Sequence, residues 1–266
     1  MIILTYILAL LIGVILGLTG GGGSILTVPI LVYLIGLQPT IAIVYSLFIV
    51  GITALTGAIN YAIKKLISFK AAIIFAIPSF MAVFCVRKWI IPHIPNKIFQ
   101  FSNYTLTKDV ALMVIFATLM LIISISMIRN KTKKDADETL SFNFHYYLIG
   151  SQGLAIGVIT GLLGAGGGFI IVPALVILAN VPIRLAIGTS LLIIAINSLM
   201  GFVADLQINK NIDWQFLITF SAFAMVGVLS GGYLSKFISA KHLKIVFGYF
   251  LLAVGLFILL KEIFKN

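Results

Sequence analysis

Twice, at an interval of 144 residues, an apolar run of this chain breaks on the same string of glycines. Gly17 to Leu31 reads GLTGGGGSILTVPIL and Gly161 to Leu175 reads GLLGAGGGFIIVPAL, with eight of fifteen aligned positions identical. Leucine matches mean little against this background. Gly17/Gly161, Gly20/Gly164, Gly22/Gly166, Gly23/Gly167 and Pro29/Pro173 mean more, because glycine and proline are the residues a helix tolerates least. The register continues through Ala42/Ala186, Ser46/Ser190 and Gly57/Gly201. The chain therefore reads as a duplication: a first membrane repeat over 1–128, a polar linker over 129–143 (RNKTKKDADETLSFN), and a second repeat over 144–266.

Around those strings the apolar runs last about 20 residues, which suits helices in lipid and not barrel strands of about 10. Hydrophobic residues make up 61% of the chain and charged ones 9%, with a mean hydropathy of +1.21, so the bilayer has to be the solvent. The fold class expected is an all-α integral membrane protein, a polytopic helical bundle of two homologous halves. The formal charge of +11 comes from 18 Lys and Arg residues that stand almost entirely in short connections. Topology and anionic lipid account for that placement, and nucleic acid is not an expected partner. A single cysteine, Cys85, rules out an internal disulfide, and His93, His145 and His242 lie too far apart in sequence to suggest a metal cluster. No metal or other cofactor is expected. The start, MIILTY, lacks a basic leader and reads as the beginning of the first span.

Eight full spans follow from the pattern, at 2–18, 41–63, 69–86, 109–128, 144–163, 185–204, 214–237 and 243–260. Two short segments, 24–37 and 169–180, follow the glycine strings and are broken or re-entrant half-spans. The stretch 89–108, with Pro92, Pro95, Trp89 and Tyr104, reads as an interfacial loop. If each short segment crosses, every half has five crossings, the halves are inverted, and Lys and Arg divide 11 on the linker side to 7 on the other. That bias puts the linker in the cytoplasm.

Paired glycine-interrupted segments at equivalent places of two repeats point to a transporter's binding site, since irregular backbone at membrane depth survives only where protein or a watery cavity satisfies it. Bare amides and the positive ends of the helices that follow can hold an anion without a basic side chain. The candidate substrate-binding residues are Gly20, Gly21, Gly22, Gly23 and Ser24 in the first string and Gly164, Ala165, Gly166, Gly167 and Gly168 in the second. Ser46, Thr189 and Ser190 are candidate lining hydroxyls, against the alternative that they bond their own backbone. Pro29 and Pro173 are expected to kink the short helices. Asn197 is expected to make an interhelical hydrogen bond, and Gly255, outside the strings, to face lipid or a loose helix contact. The competing reading of the glycines is close helix packing, although packing glycines recur at every fourth residue and not four in a row. No acid occupies mid-span; Asp109, Asp205, Asp213 and Glu262 stand near ends and are expected to be hydrated.

The strings resemble the TauE/SafE, or sulfite exporter, family of anion permeases, whose recurring element is similar to G-x-G-G-G-x-x-x-V-P-x-L. Gly164 to Gly168 with Val172-Pro173-Ala174-Leu175 fits it completely, and the first half departs at Ser24. Gly188-Thr189-Ser190-Leu191 and Ile212-Asp213-Trp214 extend the likeness, while Val44-Tyr45 stands where the second half has Gly188-Thr189. The resemblance implies transport of small sulfur-containing anions such as sulfite, thiosulfate or organosulfonates, with no catalytic residues; assembly into a homo-oligomer is left open. Rival readings are an accessory membrane protein serving another complex and a membrane-embedded enzyme. The enzyme would need a nucleophile, base or metal at bilayer depth.

Overall fold

The computed structural model describes residues 2–95, 97–101, 104–129, 146–163, 167–177, 181–206, 212–235, 237 and 240–264. α1 (Ile2–Thr19) runs into the first glycine string and α2 (Ser24–Pro29) starts after it. α3 (Pro39–Ile63), α4 (Phe69–Cys85), a single turn α5 (Ile91–His93), the strands β1 (Lys97–Phe101) and β2 (Tyr104–Thr107), and α6 (Lys108–Arg129) complete the first repeat. The second contains α7 (Tyr146–Leu163), α8 (Gly168–Ile177), α9 (Ile183–Leu206), α10 (Trp214–Leu234) and α11 (Ala240–Phe264). Among the described residues, five stretches are long and apolar enough to cross a membrane: Pro39–Ile63, Phe69–His93, Lys108–Ile125, Arg184–Leu206 and Trp214–Leu234. Leu4–Thr19, Ser24–Leu34 and Ile149–Leu162 are apolar but shorter.

Two local expectations change. The 89–108 stretch is not a plain loop: α4 continues with π winding through Val86–Ile90, and β1 pairs antiparallel with β2. Aromatic and β-branched residues (Ile98, Phe99, Phe101, Tyr104, Thr105) favour pairing once Pro95 has ended helical winding. The kink foreseen at Pro29 takes the form of a change in winding. Pro29 cannot donate, and Ile30–Leu34 widen into a π turn closed by the Ile35 amide on the Ile30 carbonyl at 3.2 Å. Pro173 also lies within its helix, α8.

Packing gathers the chain into two compact units, Met1–Pro92 with Phe144–Phe237, and His93–Asn143 with Ile238–Asn266. Each unit draws on both repeats. In the first, α1 packs on α10 and α7 on α4, a pair of contacts that exchange when the repeats are exchanged; α3 packs on its own counterpart α9, and α2 on α8. Contact registers give directions. Gly13 and Gly17 meet Ala224 and Val228, so α1 and α10 run the same way. Tyr45, Gly57 and Tyr61 meet Phe216, Val228 and Ser235, so α3 runs with them. Gly153 and Gly157 meet Phe75 and Ser79, and Asn197 and Asp205 meet Ser79 and Arg87, so α4, α7 and α9 run together. Gly51 meets Leu199 and Gly57 meets Leu191, which makes α3 antiparallel to α9.

Glycines at every fourth residue make the α1–α10 and α4–α7 contacts close. A β-carbon at Gly13, Gly17, Gly227 or Gly231 would run into the partner helix's carbonyl oxygen, as would one at Gly153 or Gly157. Such overpacking costs about 1–3 kcal/mol per site. In the second unit α6 packs on α11, and the Ser124 hydroxyl donates to the Gly248 carbonyl at 2.7 Å. Gly255 belongs to this contact: its β-carbon would stand 3.1 Å from Leu121 and 3.3 Å from the Ala117 carbonyl. The expectation of a loose position there is therefore corrected, because Leu121, Met120 and the Ala117 carbonyl of α6 already stand within 3.1–3.3 Å of where a β-carbon would lie.

Candidate functional site

Within the first unit the two glycine strings come together. Gly20 and Gly21 take φ of +71° and +153°, a region closed to most side chains. The Gly20 amide donates to the Leu16 carbonyl (2.8 Å), the Gly22 amide to the Thr19 hydroxyl (2.8 Å), and the Ser24 amide to the Gly21 carbonyl (3.1 Å). Among the described residues, the amides of Gly21 and Gly23 make no hydrogen bond. On the other side Gly167, at φ +64°, accepts from the Ile170 and Ile171 amides and opens α8. A β-carbon on Gly21 would fall 2.5 Å from the Gly168 carbonyl oxygen, and one on Gly168 would fall 2.8 Å from the Gly21 Cα. Bare backbone meets bare backbone where both short helices begin. Each helix start offers amides without intrahelical partners and a positive dipole end.

α9 holds this apposition from the side. Ser190 Oγ lies 2.5 Å from the Gly20 carbonyl oxygen and 2.8 Å from that of Ile187, so its one proton is shared between the two acceptors. The Ile187 side chain lies against Gly20, and Ile194 against Gly168. Ser46, the counterpart of Ser190, donates to the Ile43 carbonyl at 2.8 Å. Ser24 Oγ donates to the Gly21 carbonyl at 2.7 Å, so its proton stabilises the string and its lone pairs remain. Gly20, Gly21, Gly22, Gly23, Ser24, Gly167, Gly168 and Ser190 are thus gathered in one place. Gly164, Ala165 and Gly166 lie outside the described residues.

Thr189 has another position. Its Oγ1 accepts the Ser68 amide at 2.9 Å, and Ser68 caps α4 through the Ala71 amide. In the other repeat, Tyr45 Oη accepts the Asp213 amide at 2.8 Å, and Asp213 caps α10 through the Phe216 amide at 3.0 Å. The departure of Val44-Tyr45 from Gly188-Thr189 thereby has a physical account. Two different hydroxyls make the same bond to the start of a helix, and a β-carbon at Gly188 would collide with the Leu66 carbonyl.

Sequence reasoning missed Thr160 and Asp205, and Glu262, expected to be hydrated, is also buried at 6% exposure. Thr160 is buried against Gly167 with its hydroxyl unpartnered among the described residues, a position that nothing in α7's own sequence distinguishes. Asp205, expected at a hydrated end, is 3% exposed and accepts a hydrogen bond from Arg87, itself 2% exposed. The partner of an acid near a span end lies 118 residues away in sequence, so only tertiary packing reveals the pair. Asn197 behaves as expected: its Nδ2 donates to Ser79 across α4 and α9 at 2.6 Å. Among the described residues no group of His, Cys, Asp and Glu is arranged to hold a metal.

A family model, Sulfite exporter TauE/SafE, matches residues 5–263. A Probable membrane transporter protein of Xylella fastidiosa is 30% identical over 259 residues, covering 94% of this chain and 91% of that one. Proteins carrying the same description from Bacillus subtilis (25% identity, 99% of both chains) and Methanocaldococcus jannaschii (26%, 97% of this chain and 95% of that one) are also similar. No solved structure matches.

Proposed function

Because the chain belongs to the sulfite exporter TauE/SafE family of membrane transporters, we propose that it carries small sulfur-containing anions, of the sulfite, thiosulfate or organosulfonate class, through the place where Gly21 meets Gly168. That apposition is the observation carrying the reading. Side-chain-free backbone, unpaired amides at Gly21 and Gly23, and two helix starts form a positive and uncharged environment that an anion fits and a cation does not. The Thr19, Ser24 and Ser190 hydroxyls bond the backbone of the first string, while the Thr160 hydroxyl beside Gly167 has no partner among the described residues.

Helix directions support an inverted repeat. α1 and α3 run the same way, so the chain between them has to return along the bundle, and the glycine string with α2 is the segment available. α7 and α9 make the same demand on the second string and α8. The short segments therefore act as crossings, eight longer spans with two short ones, and within the first unit a twofold axis in the membrane plane relates α1–α4 to α7–α10. An axis along the helices would have made α3 and α9 parallel. On this topology the 129–143 linker faces the cytoplasm, following the positive bias of that side, and membership of the family supports a plasma-membrane location.

Flux into proteoliposomes made from the purified chain alone tests the function. Saturable movement of sulfite, thiosulfate or an alkylsulfonate, competed by the others and absent for sodium or choline, is the expected result. Retention of the chain without flux of any of them overturns transport by this protein and favours an accessory role.

A further inference from the structure

Arg87 stands in the π-wound turn after α4 and Asp205 in the last turn of α9. Their side chains are 3% and 4% exposed, and Arg87 Nη1 donates to Asp205 Oδ2 at 2.8 Å. That bond uses one corner of the guanidinium. Nε and Nη2 are both buried and have no hydrogen-bond partner among the described residues. Nε–H and the neighbouring Nη2–H point the same way and form the side-on fork that takes two oxygens of one oxyanion. Asp205 fixes the opposite corner, so the free fork has one orientation. A guanidinium acting only as a clamp would leave two desolvated donors uncompensated.

The placement of this fork is as telling as its chemistry. Ile194 of α9 touches Gly168, and on the following turns Asn197, Gly201 and Asp205 meet Ser79, Val83 and Arg87 of α4. One face of α9 thus leads from the glycine apposition to Arg87, about 16 Å away at 1.5 Å per residue. Asn197 Oδ1 and Ser198 Oγ, along the same stretch of helix, also lack partners among the described residues. In the other repeat, with α10 aligned on α4 by their caps Asp213 and Ser68, Gly232 takes the place of Arg87 and Tyr61 that of Asp205, with Tyr61 Oη 3.5 Å from Ser235 Oγ. The charged fork therefore exists at one end of the duplicated core and has neutral counterparts at the other.

We propose that the Nε/Nη2 edge of Arg87 is a second anion station, which binds a sulfite- or sulfonate-type group through two oxygens at one end of the path only, with Asp205 as its positioning residue. The station rests on the transport reading given above. It adds a specificity-determining side chain to a site otherwise made of backbone, and makes the two ends of the path chemically unequal.

Sulfite flux in proteoliposomes of the full chain, measured against concentration, tests it with Arg87→Lys, Arg87→Met and the double variant Arg87→Met/Asp205→Met. Lysine retains charge without the fork, and the double variant replaces the pair by apolar side chains that a purely structural pair tolerates. Arg87→Lys should raise the half-saturating sulfite concentration at least about tenfold, while inhibition by thiocyanate, which cannot present two oxygens, stays unchanged. The double variant, inserted at normal abundance, should show the same loss of sulfite affinity. Unchanged half-saturation in either variant overturns the station and makes the pair a clamp. Absence of flux from the unmodified protein overturns the transport reading instead, and the station with it.

Discussion

At the scale of single residues, what matters here is the lack of a side chain. Gly21 and Gly168 approach so closely that either β-carbon would overlap the other strand's backbone, and Gly21 adds a φ of +153°. Alanine at either position should strain the apposition by about 1–3 kcal/mol. Flux of Gly21→Ala and Gly168→Ala is expected to fall roughly tenfold or more at normal abundance, since about 1.4 kcal/mol is a factor of ten. Gly150→Ala provides the comparison, because the atom nearest its new β-carbon is the Ile74 carbonyl oxygen at 4.0 Å. Gly150→Ala should transport like the unmodified chain. Undiminished flux in Gly168→Ala would move the site away from this apposition. Ser24 and Ser190 show why the hydroxyls were legible only as candidates: both face the strings, yet each donates its proton to a Gly21 or Gly20 carbonyl.

Among the elements, the two kinds of glycine separate. Gly13, Gly17, Gly227 and Gly231 recur at every fourth residue, and their function is helix approach between α1 and α10; Gly153 and Gly157 do this for α7 against α4. A β-carbon at Gly17 collides with the Val228 carbonyl, whereas one at Gly232 meets only Asn60 at 3.4 Å and Tyr61 at 3.8 Å. Gly17→Ala is therefore expected to lower the detergent-solubilised protein's thermal midpoint, by a destabilisation of about 1–3 kcal/mol, and Gly232→Ala to leave it nearly unchanged. Equal midpoints for the two variants would show that α1 and α10 have room to separate. The short helices were legible from length, but the π winding after Pro29 was not, because it depends on how the turn compensates for a missing donor.

For the whole molecule, the reciprocal contacts α1–α10 and α7–α4, with α3 antiparallel to α9, lead to a prediction of sidedness. In a Cys85→Ala background, cysteines placed singly at Lys133 and Pro95 should react with an impermeant reagent from opposite sides, Lys133 from the cytoplasm. Labelling of both from outside intact cells would contradict the inverted arrangement. Burial of Arg87 in an ion pair removes one cation from the less basic side of the count, which leaves the bias in the same direction.

The sequence by itself determined the membrane class and the helical fold and gave the reason to propose a duplication, because apolar length and glycine-proline spacing act locally and survive without knowledge of any partner. It also drew attention to the strings, since consecutive glycines are incompatible with undisturbed helix. What the tertiary structure decided were the relations across the repeats: that Gly21 meets Gly168, that Thr189 and Tyr45 make equivalent bonds to different helix starts, and that Arg87 finds Asp205. Each depends on the relative direction and register of helices remote in sequence. Helix periodicity shows which face is apolar, but nothing in it specifies the helix that covers that face.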